Sequence, residues 1–179
     1  MSKSLNGKRI ALLVTDGFEQ VELTEPKKAL EHAGASADIL SSKSGKVTGW
    51  HHDKPGDSFT VDKTFASANM ADYDAIVLPG GVFNSDTIRL DEMAVALVKD
   101  AARANKTIAV ICHGAWILAS ADLIKGKTIT SWPSLTDDLK NAGAKWVNKE
   151  VVVDGKLISS RNPDDIPAFN KKLIEALAA

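Results

Sequence analysis

The chain of 179 residues has one cysteine, no long apolar run and a formal net charge of only −1, and each of these features argues against a class of protein. Its single cysteine, Cys112, cannot form an internal disulfide, so we expect the protein to work in a reducing, cytoplasmic compartment. The apolar run at residues 10–14 is too short for a signal peptide or a membrane span, which argues against a membrane partner. The formal net charge of −1 argues against nucleic acid as a partner.

Sequence motifs for metal and phosphate binding are also missing. There is no HExxH or CxxC pattern, and His51, His52 and Asp53 have no cysteine beside them. We interpret these three residues as part of a solvated loop. The stretch KSGK at residues 43–46 lacks the spacing of a nucleotide-binding phosphate loop. The sequence therefore predicts neither a metal site nor a cofactor.

What the chain does contain is an alternation of short apolar runs and amphipathic segments. Strands are predicted over residues 9–14, 36–41, 74–78, 107–111 and 128–132. Helices are predicted over residues 21–33, 91–104, 114–123 and 135–142, and from about residue 164 onward. Alternating strands and helices form βαβ units, so we expect one α/β domain over residues 1–179, with a mostly parallel sheet and helices on both faces.

Three local features complete the fold prediction. Residues 1–7 are small and polar, and we expect a flexible leader there. The segment EVVVDGKLISS predicts a hairpin with a type I′ turn at Asp154-Gly155, and KVTGW and SFTVD predict a small antiparallel annex around the turn HHDKPGD. The helix over 91–104 is expected to bury one stripe of side chains, namely Leu90, Met93, Ala94, Leu97 and Val98.

Cys112 lies in the stretch IAVICHGAWILAS, where a strand pattern changes into a helix pattern. A residue at such an abrupt turn is presented above the carboxyl edge of the sheet, as in a nucleophile elbow. The first N–H groups and the dipole of the following helix would favour a thiolate. The alternative is a free cysteine that packs as a small hydrophobic residue.

His113 follows directly and is a candidate base, although consecutive side chains at a sharp turn diverge, and a structural histidine is the alternative. Gly80 and Gly81 end a neighbouring strand in the motif PGG, either as an ordinary turn or as backbone donors of an oxyanion hole.

Two acidic residues, Glu19 and Glu22, follow the first predicted strand. They are either helix-terminal charges or members of the site around Cys112. A carboxylate repels a thiolate unless one of the two holds a proton, so a protonated Glu22 would donate a hydrogen bond to the sulfur.

Five stretches, taken together and in this order, resemble the DJ/PfpI/ThiJ superfamily, and specifically its PfpI branch of small single-domain proteins. They are DGFEQVEL, YDAIVLPGG, AVICHG, DDLKNAGAKWV and EVVVDGKLISSRNPDDIPAF. The resemblance extends from Arg9 to about Leu177. It implies a flavodoxin-like α/β sandwich, related to the class I glutamine amidotransferase fold, that forms homodimers and sometimes higher oligomers.

The resemblance also implies roles for particular residues. Cys112 matches the nucleophile and His113 the histidine beside it. Glu22 matches the carboxylate that hydrogen-bonds the sulfur, and Glu19 matches a second acidic position near the pocket. Gly80 and Gly81 match the oxyanion-hole glycines. Asp86 aligns, after a one-residue insertion, with an acid that the neighbouring subunit contributes.

Two tryptophans depart from the pattern of the family. Trp116 stands in CHGAW where many relatives have CHGPQ, and Trp132 precedes proline where several relatives have tyrosine. Two indoles near the site are expected to narrow the pocket.

The resemblance implies a stress-response protein with cysteine-dependent chemistry on a carbonyl group. Small aldehydes and glycated adducts are favoured substrates, because addition to an aldehyde needs no amine leaving group. The other cysteine-dependent activity that the resemblance allows is that of an intracellular peptidase. One alternative is a non-enzymatic sensor whose Cys112 is oxidised to sulfenic or sulfinic acid. Another is a structural or chaperone-like dimer.

Overall fold

The computed structural model describes residues 4–179 of the chain. Its strands, numbered in chain order, are β1 (Arg9–Leu13), β2 (Phe18–Glu19), β3 (Ser36–Ser41), β4 (Lys46–His51), β5 (Lys54–Thr60), β6 (Lys63–Thr64), β7 (Ala75–Leu78), β8 (Thr107–Ile111), β9 (Thr128–Ile129), β10 (Lys145–Trp146), β11 (Val152–Asp154) and β12 (Leu157–Ser160). The α-helices are α1 (Gln20–His32), α2 (Val82–Ile88), α3 (Glu92–Arg103), α4 (Trp116–Ser120), α5 (Thr136–Asn141) and α6 (Ile166–Leu177).

Seven strands form the main sheet in the order β11-β12-β8-β7-β1-β3-β6. All neighbouring pairs run parallel except β11 and β12, which form an antiparallel hairpin at one edge. The predicted α/β fold with a mostly parallel, flavodoxin-like sheet is confirmed. Its carboxyl edge gathers the ends of β1, β7 and β8, which are the strands that precede the candidate site.

The sheet is buried on both faces, which explains why its strands are continuous apolar runs. Successive side chains alternate between the faces, so Ile10 and Leu12 pack with α1 and α6 while Ala11 and Leu13 pack with α3, α4 and α5. The alternation divides the core into two apolar layers with the sheet between them.

A second, three-stranded sheet has the order β2-β4-β5, and we call it the hairpin annex. The predicted annex is confirmed, but its turn is shorter than expected. Strand β5 begins at Lys54, so most of the polar stretch HHDKPGD is paired strand, and only His52 and Asp53 form the turn. The polar composition of the stretch reflects solvent exposure of the hairpin and not a loop conformation.

The leader prediction is wrong for Leu5. This residue is 1% exposed, packs in the core layer beneath α1 and α6, and donates its N–H to the carbonyl of Ala33 at 2.7 Å. One apolar side chain within reach of the end of α1 is enough to anchor the segment. Residues 1–3 lie outside the described residues.

The helix predicted over 91–104 is confirmed as α3, but two members of its expected stripe are not buried. Leu90 is 78% exposed and Met93 is 53% exposed, whereas Ala94, Leu97 and Val98 are buried. The cause is the short helix α2, which the sequence reading did not predict. It moves Leu90 into the connection between α2 and α3 instead of onto the core-facing stripe of α3.

Three other boundaries differ from expectation. The strand predicted over 128–132 is only β9, which pairs with β10 outside the main sheet. The helix predicted over 114–123 is a 3-10 turn at Cys112–Ala115 followed by α4. The β11–β12 turn residues are Gly155 and Lys156, and only Gly155 has positive φ (61°), which is typical of type II′ and not type I′.

Matched leucine truncations test the anchoring of the N-terminal segment. Leu5→Ala should lower the free energy of unfolding by about 2–3 kcal/mol, because it leaves a cavity in a packed layer. Leu90→Ala removes the same atoms from an exposed position and should change the free energy by less than about 0.5 kcal/mol. Urea denaturation monitored by tryptophan fluorescence measures both. Equal, small effects would show that Leu5 does not contribute to the core.

Candidate active site

Cys112 follows β8 directly and is the first residue of the 3-10 helix that precedes α4, with φ of 62°. A non-glycine residue in the left-handed region is strained and persists only where its surroundings hold it. The strain turns the chain sharply at the carboxyl edge of the sheet and places the thiol among the ends of neighbouring segments. The nucleophile elbow predicted at Cys112 is therefore confirmed.

The sulfur of Cys112 has polar neighbours on three residues, namely His113, Gly81 and Glu22. The backbone N–H groups of His113 and Gly81 donate to it. The ring nitrogen Nδ1 of His113 lies 3.3 Å from Sγ. The expectation that the two consecutive side chains diverge is wrong, because the left-handed backbone at Cys112 turns both side chains toward the same side of the elbow. This contact can carry a proton from the thiol to the imidazole.

Gly80 is needed for close approach of two chain segments. A Cβ at this position would lie 2.6 Å from Oε2 of Glu22 and 2.7 Å from Cβ of Cys112. Its N–H donates to Oε2 of Glu22 at 2.7 Å. The amide of Gly80 is therefore occupied, and the structure leaves it unavailable as the oxyanion donor that the sequence predicts. The N–H of Gly81 points to the sulfur instead.

Glu22 lies on α1, is completely buried and interacts with the Cys112 thiol. Burial raises the pKa of Glu22 from its ordinary value near 4.5 to about 8, and the hydrogen bond from Gly80 opposes this only in part. Its second oxygen, Oε1, has no partner of good hydrogen-bond geometry. A carboxyl group with these surroundings is protonated at neutral pH, so it is a donor beside the sulfur.

Burial also raises the pKa of the Cys112 thiol, and a charged Glu22 would raise it further. The two N–H groups at the sulfur act in the opposite direction. The expected depression of the thiol pKa by a helix dipole is not the dominant effect. The first turn after Cys112 is 3-10, and α4 has only five residues, so few peptide dipoles are aligned.

The His113 ring lies between two indoles. Trp132 stacks on it with ring centroids 5.7 Å apart, and Trp116 meets it edge-on at 5.4 Å. Burial in this environment lowers the pKa of His113 to about 4, so the imidazole is neutral at neutral pH and can accept a proton. Trp116 is held from behind by a hydrogen bond from Nε1 to Asp138 at 2.9 Å.

A cavity of about 510 Å³ opens above Cys112, and we call it the Cys112 cavity. Trp132, which is 39% exposed, lines it, whereas Trp116 does not line it and packs edge-on against His113; narrowing of the pocket by the indoles stays a prediction. His52 and Asp53 are exposed turn residues, which agrees with their interpretation as solvated loop, and they also line the cavity. The turn of the hairpin annex brings them there, and no local sequence signal indicates this. A larger cavity of about 760 Å³ lies elsewhere and includes no cysteine or histidine.

The two remaining predicted acids have different positions. Glu19 lines the Cys112 cavity, and its Oε2 accepts the backbone N–H of His52 at 3.1 Å. Asp86 lies on α2, is exposed and does not line the cavity. Within one chain the structure thus brings Glu19 to the site and leaves Asp86 outside it. The contribution of Asp86 across a subunit boundary stays a prediction.

Asn84 is a site residue that the sequence reading missed. It is fully buried, and its Nδ2 donates to the carbonyls of Pro79 and Gly80 at 3.2 and 2.9 Å. Its Oδ1 accepts the N–H of Thr15 at 2.7 Å. These bonds tie the end of β1 to the PGG loop and fix the peptides that face Glu22 and Cys112. An asparagine next to PGG is a weak signal, because such residues are common in turns.

Within residues 4–179, no cluster of three or more His, Cys, Asp or Glu side chains is arranged to hold a metal ion. No helix in the same range has the length and apolar character to span a membrane.

Comparisons with known proteins find relatives over nearly the full length of the chain. The family model described as "DJ-1/PfpI family" matches residues 8–176. "Putative cysteine protease YraA" of Bacillus subtilis is 42% identical over 171 residues, which is 95% of this chain and 98% of the relative. "Deglycase PfpI" of Pyrococcus furiosus is 40% identical over 169 residues, 94% of this chain and 99% of the relative.

A solved structure shows the same fold. It is a two-domain protein from Anabaena variabilis with dj-1/thij/pfpi-like and ferritin-like domains, and it superposes with a TM-score of 0.90 at 33% identity. The match covers 95% of this chain but 48% of that chain, so this chain spans about half the length of the two-domain protein.

The buried carboxyl group should make stability depend on pH. The folded state holds the Glu22 proton up to about pH 8, whereas the unfolded chain releases it near 4.5. Stability conferred by this group is therefore complete at low pH and is lost as the pH rises through 8. Glu22→Gln should match wild type near pH 4.5 and exceed it by roughly 4 kcal/mol at pH 9. Denaturation at a series of pH values measures the free energy of unfolding of each protein, with the exposed substitution Glu25→Gln as control. If the free energy depends on pH in the same way in all three proteins, the shifted pKa of Glu22 is contradicted.

Loss of the Asn84 amide should loosen the PGG loop. Asn84→Ala leaves two buried carbonyls and the Thr15 N–H without their partner, which should cost about 3 kcal/mol or more. Thr15→Val removes only the hydroxyl contacts to Asn84 and keeps both carbonyl bonds. Only Asn84→Ala should therefore change the pH profile of Cys112 alkylation by iodoacetamide. If both variants leave that profile unchanged, Asn84 supports the fold and not the site.

Proposed function

The chain belongs to the DJ-1/PfpI family, and on that premise we propose that it is a cysteine-dependent hydrolase that acts on carbonyl groups of glycated adducts and small aldehydes. Its relatives include proteins named as a deglycase and as a putative cysteine protease, which supports cysteine chemistry. The observation that carries the proposal is the 3.3 Å contact between Sγ of Cys112 and Nδ1 of a neutral His113, at the floor of the Cys112 cavity.

The first step follows from the charge state of these groups. At rest the thiol and Glu22 are protonated and His113 is neutral, so the buried site carries no net charge. As the sulfur attacks the carbonyl carbon, a C–S bond forms and the thiol proton moves to Nδ1 of His113. The carbonyl π electrons move to oxygen, and the imidazolium then gives its proton to that oxygen, which yields a thiohemiacetal from an aldehyde.

Glu22 assists by donation and not by accepting a proton. In its protonated form it can give a hydrogen bond to the sulfur while negative charge develops there, and it adds no repulsion. The N–H groups of His113 and Gly81 act on the same atom. We propose that these three donors replace the helix dipole that the short helix α4 does not provide.

Small aldehydes are favoured over peptides as substrates for a chemical reason. Addition to an aldehyde requires one proton transfer to oxygen, which His113 can complete from its position beside the sulfur. Peptide cleavage also needs a proton delivered to the departing amine on the other side of the scissile carbon. The name of the Bacillus relative supports peptidase activity instead, and an assay with both kinds of substrate separates the two activities.

The wider biological setting is part of the same proposal. We propose that the protein acts in the cytoplasm as a stress-response enzyme and as a homodimer or higher oligomer, with Asp86 reaching the site of the neighbouring subunit. A fully active monomer at micromolar concentration would contradict the shared site.

A panel of methylglyoxal, glycated amino acids and fluorogenic peptides tests the activity. Cys112→Ser should reduce turnover of the adducts to background, because an alcohol at this elbow has no base strong enough to activate it. His113→Asn should lower kcat about 10²–10⁴-fold, whereas the control His32→Asn, on an exposed turn of α1, should have no effect.

Other results have distinct meanings. Faster cleavage of peptides than of adducts, lost in Cys112→Ser, would identify a peptidase. A mass gain at Cys112 with peroxide but no turnover of any substrate would identify an oxidation sensor and contradict the enzymatic proposal.

A further inference from the structure

We infer that the mouth of the Cys112 cavity selects carbonyl substrates that carry a cationic group, such as an ammonium or guanidinium, over substrates that carry a carboxylate. The inference rests on the proposed function for its biological meaning, but the charge selection is a property of the cavity and is measurable without turnover. It is carried by the placement of Glu19, Asp53 and two aromatic side chains.

Within residues 4–179, the mouth holds no lysine or arginine; its one basic group is His52, whose Nδ1 lies 3.7 Å from Oε2 of Glu19. Glu19 and Asp53 supply the carboxylates there. The one lining group on the floor that could be positive, His113, is neutral at neutral pH. A concave site with low-dielectric walls focuses the field of such charges and raises the local concentration of oppositely charged ligands.

The acidic groups are positioned by the fold. Glu19 ends β2, and its side chain is only 12% exposed. Its Oε2 accepts the N–H of His52, whose φ is 57°, and this bond holds the turn of the hairpin annex over the cavity. Asp53 is the next residue of that turn. The carboxylate of Glu19 therefore both contributes charge and fixes the position of the second carboxylate.

Aromatic faces complete the mouth. Phe83 and Trp132 line the cavity, and both are partly exposed. The ring of Phe83 is held by Trp50 at a centroid distance of 4.9 Å, and Trp132 is held by its stack on His113. A cation near the face of such a ring is attracted to the ring quadrupole, whereas an anion is not.

An arginine that is close to the cavity lining in sequence binds other partners. Arg161 precedes the lining residue Pro163 by two positions, but its guanidinium binds both oxygens of Asp165 and Oδ1 of Asn148. Its charge is thus compensated by its own partners. A substrate carboxylate would meet two carboxylates and no lysine or arginine among the lining residues, whereas an amine or guanidine adduct would meet complementary charge.

Thiol-directed reagents of matched size test the field at Cys112. The 2-aminoethyl and 2-sulfonatoethyl methanethiosulfonates carry opposite charges, and methyl methanethiosulfonate is neutral. Each forms a disulfide with the Cys112 sulfur as the S–SO₂ bond breaks and methanesulfinate leaves with the bonding electrons. Because Cys112 is the only cysteine, its second-order modification rate is read directly by mass spectrometry. The neutral reagent corrects for changes in thiol ionisation.

We divide the modification rate of the cationic reagent by that of the anionic reagent, and then by the same ratio for a free small thiol. The result should be about ten or more at low salt. It should fall toward one in about 1 M salt, because screening removes the field. Glu19→Gln and Asp53→Asn should each lower the ratio several-fold, while the exposed control Asp137→Asn on α5 should leave it unchanged.

A ratio near one in wild type, or an equal ratio in wild type and both cavity variants, would overturn the inference. That result is distinct from failure of the proposed function, which is shown by adduct turnover that survives in Cys112→Ser. A high ratio in a protein with no turnover would keep the charge selection and remove the enzymatic role.

Discussion

The left-handed backbone of Cys112 is the constraint on which the rest of the site depends. It ends β8 abruptly at the carboxyl edge of the sheet and directs the thiol toward the PGG loop after β7 and the first turn of α1. That convergence is possible only because residue 80 has no Cβ, since one would meet both Glu22 and Cys112. Asn84 then holds the loop through its carbonyls. A strained residue is kept in place by three neighbouring segments that are themselves hydrogen-bonded to one another.

Burial decides the electrostatics of the floor. Three buried ionisable groups meet at the floor of the cavity, and burial drives each toward its neutral form: the carboxyl of Glu22 and the thiol of Cys112 toward the protonated state, the imidazole of His113 toward the deprotonated state. A neutral resting site avoids the cost of isolated buried charge. Under the proposed function, charge develops at the sulfur only during attack on a carbonyl carbon, beside the N–H groups of His113 and Gly81.

The mouth has the opposite character. Its carboxylates are those of Glu19 and Asp53, and the aromatic side chains of Phe83 and Trp132 line the cavity beside them. The hairpin annex connects the floor of the cavity to its mouth. Strand β2 leads directly into α1, which carries Glu22, and the β4–β5 turn lines the cavity. The same small sheet therefore links the position of the buried acid to the position of the substrate-facing charges.

Periodicity and composition were sufficient to predict the buried strands, the helices α1, α3 and α6, the hairpin at the sheet edge and the elbow at Cys112. These features depend on neighbours along the chain, so a local pattern records them. The hydrogen bond from the Gly80 N–H to Glu22 joins residues 58 positions apart in the sequence. The hydrogen bond from the His52 N–H to Glu19 joins residues 33 positions apart. No local pattern specifies which partner such a group meets. Burial likewise reversed the expected direction of the thiol pKa, because desolvation depends on everything packed around the sulfur. The place of Cys112 at the end of a central strand follows from the local pattern alone, whereas the groups that surround it follow from packing between segments that are distant along the chain.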